Sequence, residues 1–146
     1  MKKTNTILAM GLIGLLGICL AGVLAFASVT VKAADDWLAS KATAAPKVNM
    51  TGKWDAGSAW AGGWGEGNFV QDKANFTGPL GLYYVKGVVS GKDLYLVLLS
   101  NNWVYYTAQM TKQGDGSFSG KATKDVIVDS DAAKSAETYP ITFRKM

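Results

Sequence analysis

Glycines and other turn-forming residues interrupt this chain at short intervals beyond residue 50, and that punctuation limits the fold more than any other feature. Thirteen glycines lie between Ala34 and Met146. Each costs about 1 kcal/mol relative to Ala in a helix interior, so long helices are disfavoured there. The intervals between turns read as strands. Val48–Trp54 alternates apolar and polar residues, the period of a strand with one buried face. Further strands read over Gly67–Gln71, Ala74–Gly78, Leu82–Val89, Asp93–Leu99, Trp103–Met110, Ser117–Lys124 and Tyr139–Lys145. Asp72-Lys73, Ser90-Gly91-Lys92, Ser100-Asn101-Asn102 and Gly114-Asp115-Gly116 supply turns, and Pro79-Leu80-Gly81 reads as a turn or bulge. Asp129–Glu137 is polar and reads as a loop or one helical turn.

About eight short strands in meander order predict an all-β, antiparallel domain over residues 48–146. Such a chain closes as an up-and-down β-barrel or packs as a sandwich. The barrel is the preferred reading because closure removes the sheet edges that invite aggregation. Side-chain alternation places Tyr83, Val85, Gly87 and Val89 inward, with Tyr84 and Lys86 outward. In the next-but-one strand it places Val104, Tyr106, Ala108 and Met110 inward, and Trp103, Tyr105, Thr107 and Gln109 outward. Leu94–Leu99 is apolar on both faces, so its register is not readable and its outer face needs a cover. The candidates are the Asp35–Ala45 segment, a partner subunit or a membrane.

The N-terminus reads differently. Lys2 and Lys3 precede an apolar run, Ile7–Ala27, of about 21 residues. Small-residue cleavage patterns follow at Ala25-Phe26-Ala27 and, preferred, at Val31-Lys32-Ala33. Residues 1–33 are therefore read as a signal peptide, or an anchor if uncleaved, since the run is long enough to span a bilayer. Cys19 lies inside this run behind the bulky Ile18, which argues against lipidation. Residues 34–47 form a linker or a short helix, capped by Asp35 or Asp36 and stopped by Pro46. The expected location is outside the cytoplasm, periplasmic or extracellular.

This division changes the charge argument. The whole chain carries 15 Lys+Arg against 11 Asp+Glu, a net +4. Without Lys2, Lys3 and Lys32 the balance is 12 against 11, and the remaining lysines are dispersed. That leaves no phosphate footprint for a nucleic acid. The chain has no His and one Cys, which removes His-based nucleophilic triads and most zinc sites. The acidic residues sit mostly in turns, and Asp125, Asp129 and Asp131 lack the Gly and Glu of a calcium loop. No catalytic residue, metal or cofactor is expected. Asn49-Met50-Thr51 and Asn75-Phe76-Thr77 match the glycosylation pattern, which the bacterial-looking leader makes a coincidence.

The strongest candidate feature is aromatic. Trp54, Trp60 and Trp64 fall within eleven residues, among glycines. They read as a rim at a barrel mouth, joined by Tyr83 and Tyr106, where flat rings grip a small apolar or amphipathic ligand. The alternative is a plug in a filled barrel, with Trp103, Tyr105 and Tyr84 as an outer face for an envelope protein or a second copy. A membrane is a partner only if the leader stays attached.

Thr51-Gly52-Lys53-Trp54, Gln71, Phe76-Thr77-Gly78, Val85–Gly91 and the closing Ile141-Thr142-Phe143-Arg144 carry a family resemblance. On these residues the chain resembles the lipocalin-like (calycin-type) group of small secreted bacterial β-barrel proteins. The resemblance covers about 95 residues and implies that Arg144 lies across Trp54 as the device that closes the barrel. Met50–Trp54 is also similar to the opening strand of avidin-type biotin binders. Asp55-Ala56-Gly57-Ser58 follows where that family has its Asn, so no biotin site is carried over.

Overall fold

The computed structural model describes residues 28–146. The apolar run and Cys19 lie outside the described residues. The sandwich is excluded: eight antiparallel strands form a closed barrel in chain order. They are β1 (Gly52–Asp55), β2 (Glu66–Asp72), β3 (Asn75–Leu80), β4 (Tyr83–Ser90), β5 (Asp93–Ser100), β6 (Trp103–Lys112), β7 (Phe118–Lys124) and β8 (Thr138–Lys145). The connections β1–β2, β3–β4, β5–β6 and β7–β8 gather at one end, called the rim below. The remaining turns, the segment leading into β1 and the C-terminus gather at the other, the base.

The interior is filled. Phe69, Phe76, Phe118 and Phe143 are each at most 1% exposed, with Leu80, Leu94, Leu96, Leu98, Met110 and Ile141 packed around them. An eight-stranded barrel is just wide enough for its own side chains, and here they occupy it. Gly87 lies directly across from Phe76 and leaves room for its ring. Pro79 lies within β3, not in a turn. It has no N–H for the ladder, and the β2–β3 pairing skips it, running from Gly67↔Leu80 to Val70↔Thr77.

β5 resolves its ambiguous register by burying both faces. Leu94, Leu96 and Leu98 point into the barrel, while Val97 and Leu99 point outward beneath a helix. A bulge then changes the reading of β6. Leu98 pairs with Tyr106 but Leu99 pairs with Val104, so Tyr105 is the extra residue. Tyr106, Ala108 and Met110 face inward as expected. Val104, expected inward, is instead buried on the outer wall.

The cover is α1 (Val31–Lys41), part of the chain's own N-terminal segment. Ala34 and Leu38 pack on Val88, Val97, Leu99 and Val104. The helix starts earlier than expected, and neither Asp35 nor Asp36 caps it. The Thr30 hydroxyl accepts the Ala33 N–H at 3.1 Å, the geometry of an N-cap. α1 thus crosses the expected boundary at Ala33. Asp35 instead meets Lys86 at 3.1 Å, and Asp36 meets Lys32. The helix runs from rim to base. Asp35 reaches mid-strand Lys86, whereas Thr43 and Ala44 reach Ser90 at the β4–β5 turn.

The seam between β1 and β8 pairs Trp54 with Lys145 and Asp55 with Arg144. Directly opposed residues share a face, so the inward Trp54 meets Lys145 and Arg144 points out. The cation over Trp54 is therefore Lys145, its Nζ 4.8 Å from the ring centroid, not Arg144. Lys145 Nζ also donates to the Thr51 carbonyl at 2.6 Å, so it ties the base shut. Such a cation–π pair contributes roughly 0.5–2 kcal/mol.

Candidate functional site

The three tryptophans of the Gly-rich run do three different things. Trp54 is in the core near the base, 4% exposed. Its indole N–H donates to the Met50 carbonyl at 2.8 Å, and its ring packs edge-on to Phe118. Trp60 sits on a 3-10 turn, Ala59–Ala61, in the β1–β2 connection and is fully exposed. Trp64 lies between these extremes, half-buried over the top of the core.

Trp64 organises the rim. The β1–β2 connection folds back so that Trp64 N–H donates to the Ala56 carbonyl at 3.0 Å and Gly65 N–H to Gly57 at 2.7 Å. Gly57 and Gly65 take positive φ (87° and 93°), which this tight return requires. The Trp64 indole N–H then donates to the Pro140 carbonyl on β8 at 2.9 Å. That hydrogen bond fixes the ring across the barrel mouth.

Three tyrosines meet this ring. Trp64 stands edge-on to Tyr106 at 4.9 Å and to Tyr139 at 6.5 Å, and is tilted against Tyr83 at 6.2 Å. Tyr106 is edge-on to both Tyr83 and Tyr139, at 5.7 Å each. Edge-to-face pairs at these spacings contribute about 0.5–1.5 kcal/mol beyond burial. The β6 bulge also places Tyr105 against Tyr83, 5.9 Å between ring centroids.

A groove of ≈ 430 Å³ opens over this cluster. Trp64, Tyr83, Tyr106, Tyr139, Leu82 and Pro140 line it, with Gly62, Gly63 and Gly81 among its other walls. Its lining holds no charged side chain. Three other surface depressions each carry charged groups: Asp55 with Arg144, Lys124 with Asp125 and Glu137, and Asp35 with Lys86. Of these four depressions, only the rim groove is lined without a charged side chain, and it gathers four aromatic rings.

The hydroxyls of Tyr139 and Tyr83 stay protonated at neutral pH. Tyr139 Oη donates to Glu137 at 2.6 Å, and that hydrogen bond to a carboxylate pushes its pKa up to about 12. Burial raises Tyr83, and the neighbouring Tyr106 adds to it. In a titration of tyrosinate absorbance at 295 nm, Tyr139 should be the last of the six tyrosines to ionise. Tyr139→Phe should delete the final step, near pH 12. Because the folded pKa is raised, the contribution to stability is full below pH ~10 and is lost as pH rises through that final step. A final step that survives Tyr139→Phe would refute the assignment.

Of the residues expected at a ligand site, the fold brings together Trp64, Tyr83 and Tyr106. It sends Trp54 to the opposite end and leaves Trp60 in solvent beside the groove. Sequence reasoning missed Tyr139, Pro140 and Leu82. Tyr139 and Pro140 open β8, and only closure of the barrel carries them to Trp64. Leu82, read as the first residue of a strand, instead occupies the β3–β4 turn, 89% exposed. The closed eight-stranded architecture is consistent with a lipocalin-like fold. No family model, curated protein or solved structure matches the chain.

Proposed function

We propose that this chain is an exported, lipocalin-like binding module without catalytic activity, and that it takes a small amphipathic ligand on its rim. The observation that carries this reading is the uncharged groove of ≈ 430 Å³ faced by Trp64, Tyr83, Tyr106 and Tyr139. Its size lies within the range of small-molecule sites. The ligand lies across the barrel mouth, because aromatic side chains already occupy the axis. Ring faces stack on its apolar side, and the hydroxyls of Tyr83 and Tyr106 meet its polar edge. Glu137, a carboxylate near the margin, is engaged by Tyr139.

The test is tryptophan fluorescence during a screen of amphipathic small molecules and oligosaccharides. Leu82→Ala and Tyr83→Phe leave the core untouched and should weaken binding about tenfold or more between them. Trp64→Ala should abolish it. A ligand that binds wild type and all three variants equally would overturn the rim site. A second reading, a protein-interaction module, draws on the filled core and on Tyr84 and Trp103, which are 49% and 54% exposed. Native mass spectrometry of the protein from its own envelope separates the two. A stoichiometric protein or a dimer with an empty groove would favour the second.

A further inference from the structure

We infer that the rim is a bilayer-docking surface, seated against the polar–apolar interface of the membrane that the N-terminal run enters. Two independent observations point the same way. Six of the eight exposed large hydrophobic side chains among the described residues stand at the rim: Trp60, Leu82, Tyr84, Trp103, Tyr105 and Tyr139. Each lies in, or within three residues of, a rim connection. The base presents a different chemistry, with Asp72, Lys73, Lys92, Asp93 and Asp115 at its turns.

The second observation is where the preceding chain joins the fold. α1 runs from rim to base, so Thr30 and Val31 lie toward the rim. The residues before them include the about 21 apolar residues of Ile7–Ala27, enough to cross a bilayer. Only three residues, Ser28 to Thr30, separate that run from α1. While the run is in the membrane, so short a link holds the barrel rim-first at the surface. Trp and Tyr are the side chains that favour the headgroup level, since their rings are apolar and their N–H and O–H stay hydrated. The charge at the rim selects the lipid. The connection over residues 125–137 folds partly down the outer wall, where Asp129 pairs with Lys41 and accepts the Trp37 indole N–H; its other charges are Asp125, Asp131 and Glu137 against Lys134. Docking is therefore apolar and does not depend on anionic headgroups.

This inference does not rest on the ligand reading, because Trp60 and Trp103 do not line the groove. The test uses the full chain reconstituted in phosphatidylcholine vesicles doped with phosphatidylcholine brominated near the headgroup. Bromine quenches tryptophans at that depth. Wild type should be quenched, and the Trp60→Phe/Trp103→Phe double variant should lose at least half of the quenchable signal. Both residues are exposed, so the double variant keeps its fold, which circular dichroism verifies. Where the host yields a shortened chain, flotation with the same vesicles replaces quenching. Trp60→Ser/Leu82→Ser should then partition about tenfold less than wild type. Quenching unchanged in the double variant overturns the inference, as does a shortened wild-type chain that stays out of the vesicle fraction. So does a stoichiometric protein that shields Trp60 and Trp103 from the brominated lipid. Anionic vesicles should bind no better than neutral ones, and a strong preference for them would also count against the inference.

Discussion

Trp54→Ala is expected to destabilise the barrel by about 3–5 kcal/mol, read as a lowered midpoint in urea with an unchanged slope. The same change at Trp60, six residues on, should stay within about 0.5 kcal/mol of wild type. The two residues share a composition-rich run, yet their environments are opposite. Trp54 loses contact with Phe118 and Phe143, leaves the Met50 carbonyl without its donor, and removes the ring beneath Lys145. Trp60 touches solvent on every side. A cost at Trp60 comparable to that at Trp54 would mean that the β1–β2 connection packs elsewhere. The Lys145 contribution can be read separately. Lys145→Met should cost less than the Trp54 change, whereas Arg144→Met should cost almost nothing if the cation over the indole has been assigned correctly.

The strand order was legible because the turns are written in residue types. Asp72-Lys73, Ser90-Gly91-Lys92, Asn101-Asn102 and Gly114-Asp115-Gly116 all mark junctions between strands, with Asp72 and Ser90 as last strand residues, and Lys73, Asn101 and Asn102 take the positive φ that such turns need. Alternation also placed the inner face of β4. It failed where an external contact buries the other face. Val97, Leu99 and Val104 look like core residues and are buried, but by α1 on the outer wall. No local pattern separates these two kinds of burial. The bulge at Tyr105 cannot be seen in period-2 logic, since one extra residue reverses the parity of everything before it. The Trp54 partner failed for a related reason. Arg144 and Lys145 are adjacent, so a one-residue uncertainty in the β1–β8 pairing exchanges an inward cation for an outward one. The rim was half legible. Trp64, Tyr83 and Tyr106 were named from composition and alternation, whereas Tyr139 required knowing that β8 closes onto β1.

Gly87→Ala is expected to cost about 1–3 kcal/mol although it adds a single methyl group. Gly87 has no positive φ, so Ala is free to adopt its backbone, and in a strand Ala would otherwise gain from the lower entropy of the unfolded chain. The penalty must therefore come from contact. A Cβ at Gly87 would overlap the end of the Phe76 ring, whose residue sits directly across the β3–β4 ladder. Phe76 cannot retreat, because Phe69 lies 5.4 Å away in an edge-to-face pair and the ring is fully buried. Two opposing changes test this account together. Phe76→Leu alone leaves a void over Gly87 and should also destabilise the barrel. Gly87→Ala/Phe76→Leu fills that void with the added methyl, so the double variant should be more stable than the sum of the single costs by about 1 kcal/mol or more. Urea denaturation of the four proteins closes the cycle. Simple additivity would show that the ring and the glycine are not in the contact described, and that the barrel interior is looser at this layer than its burial implies.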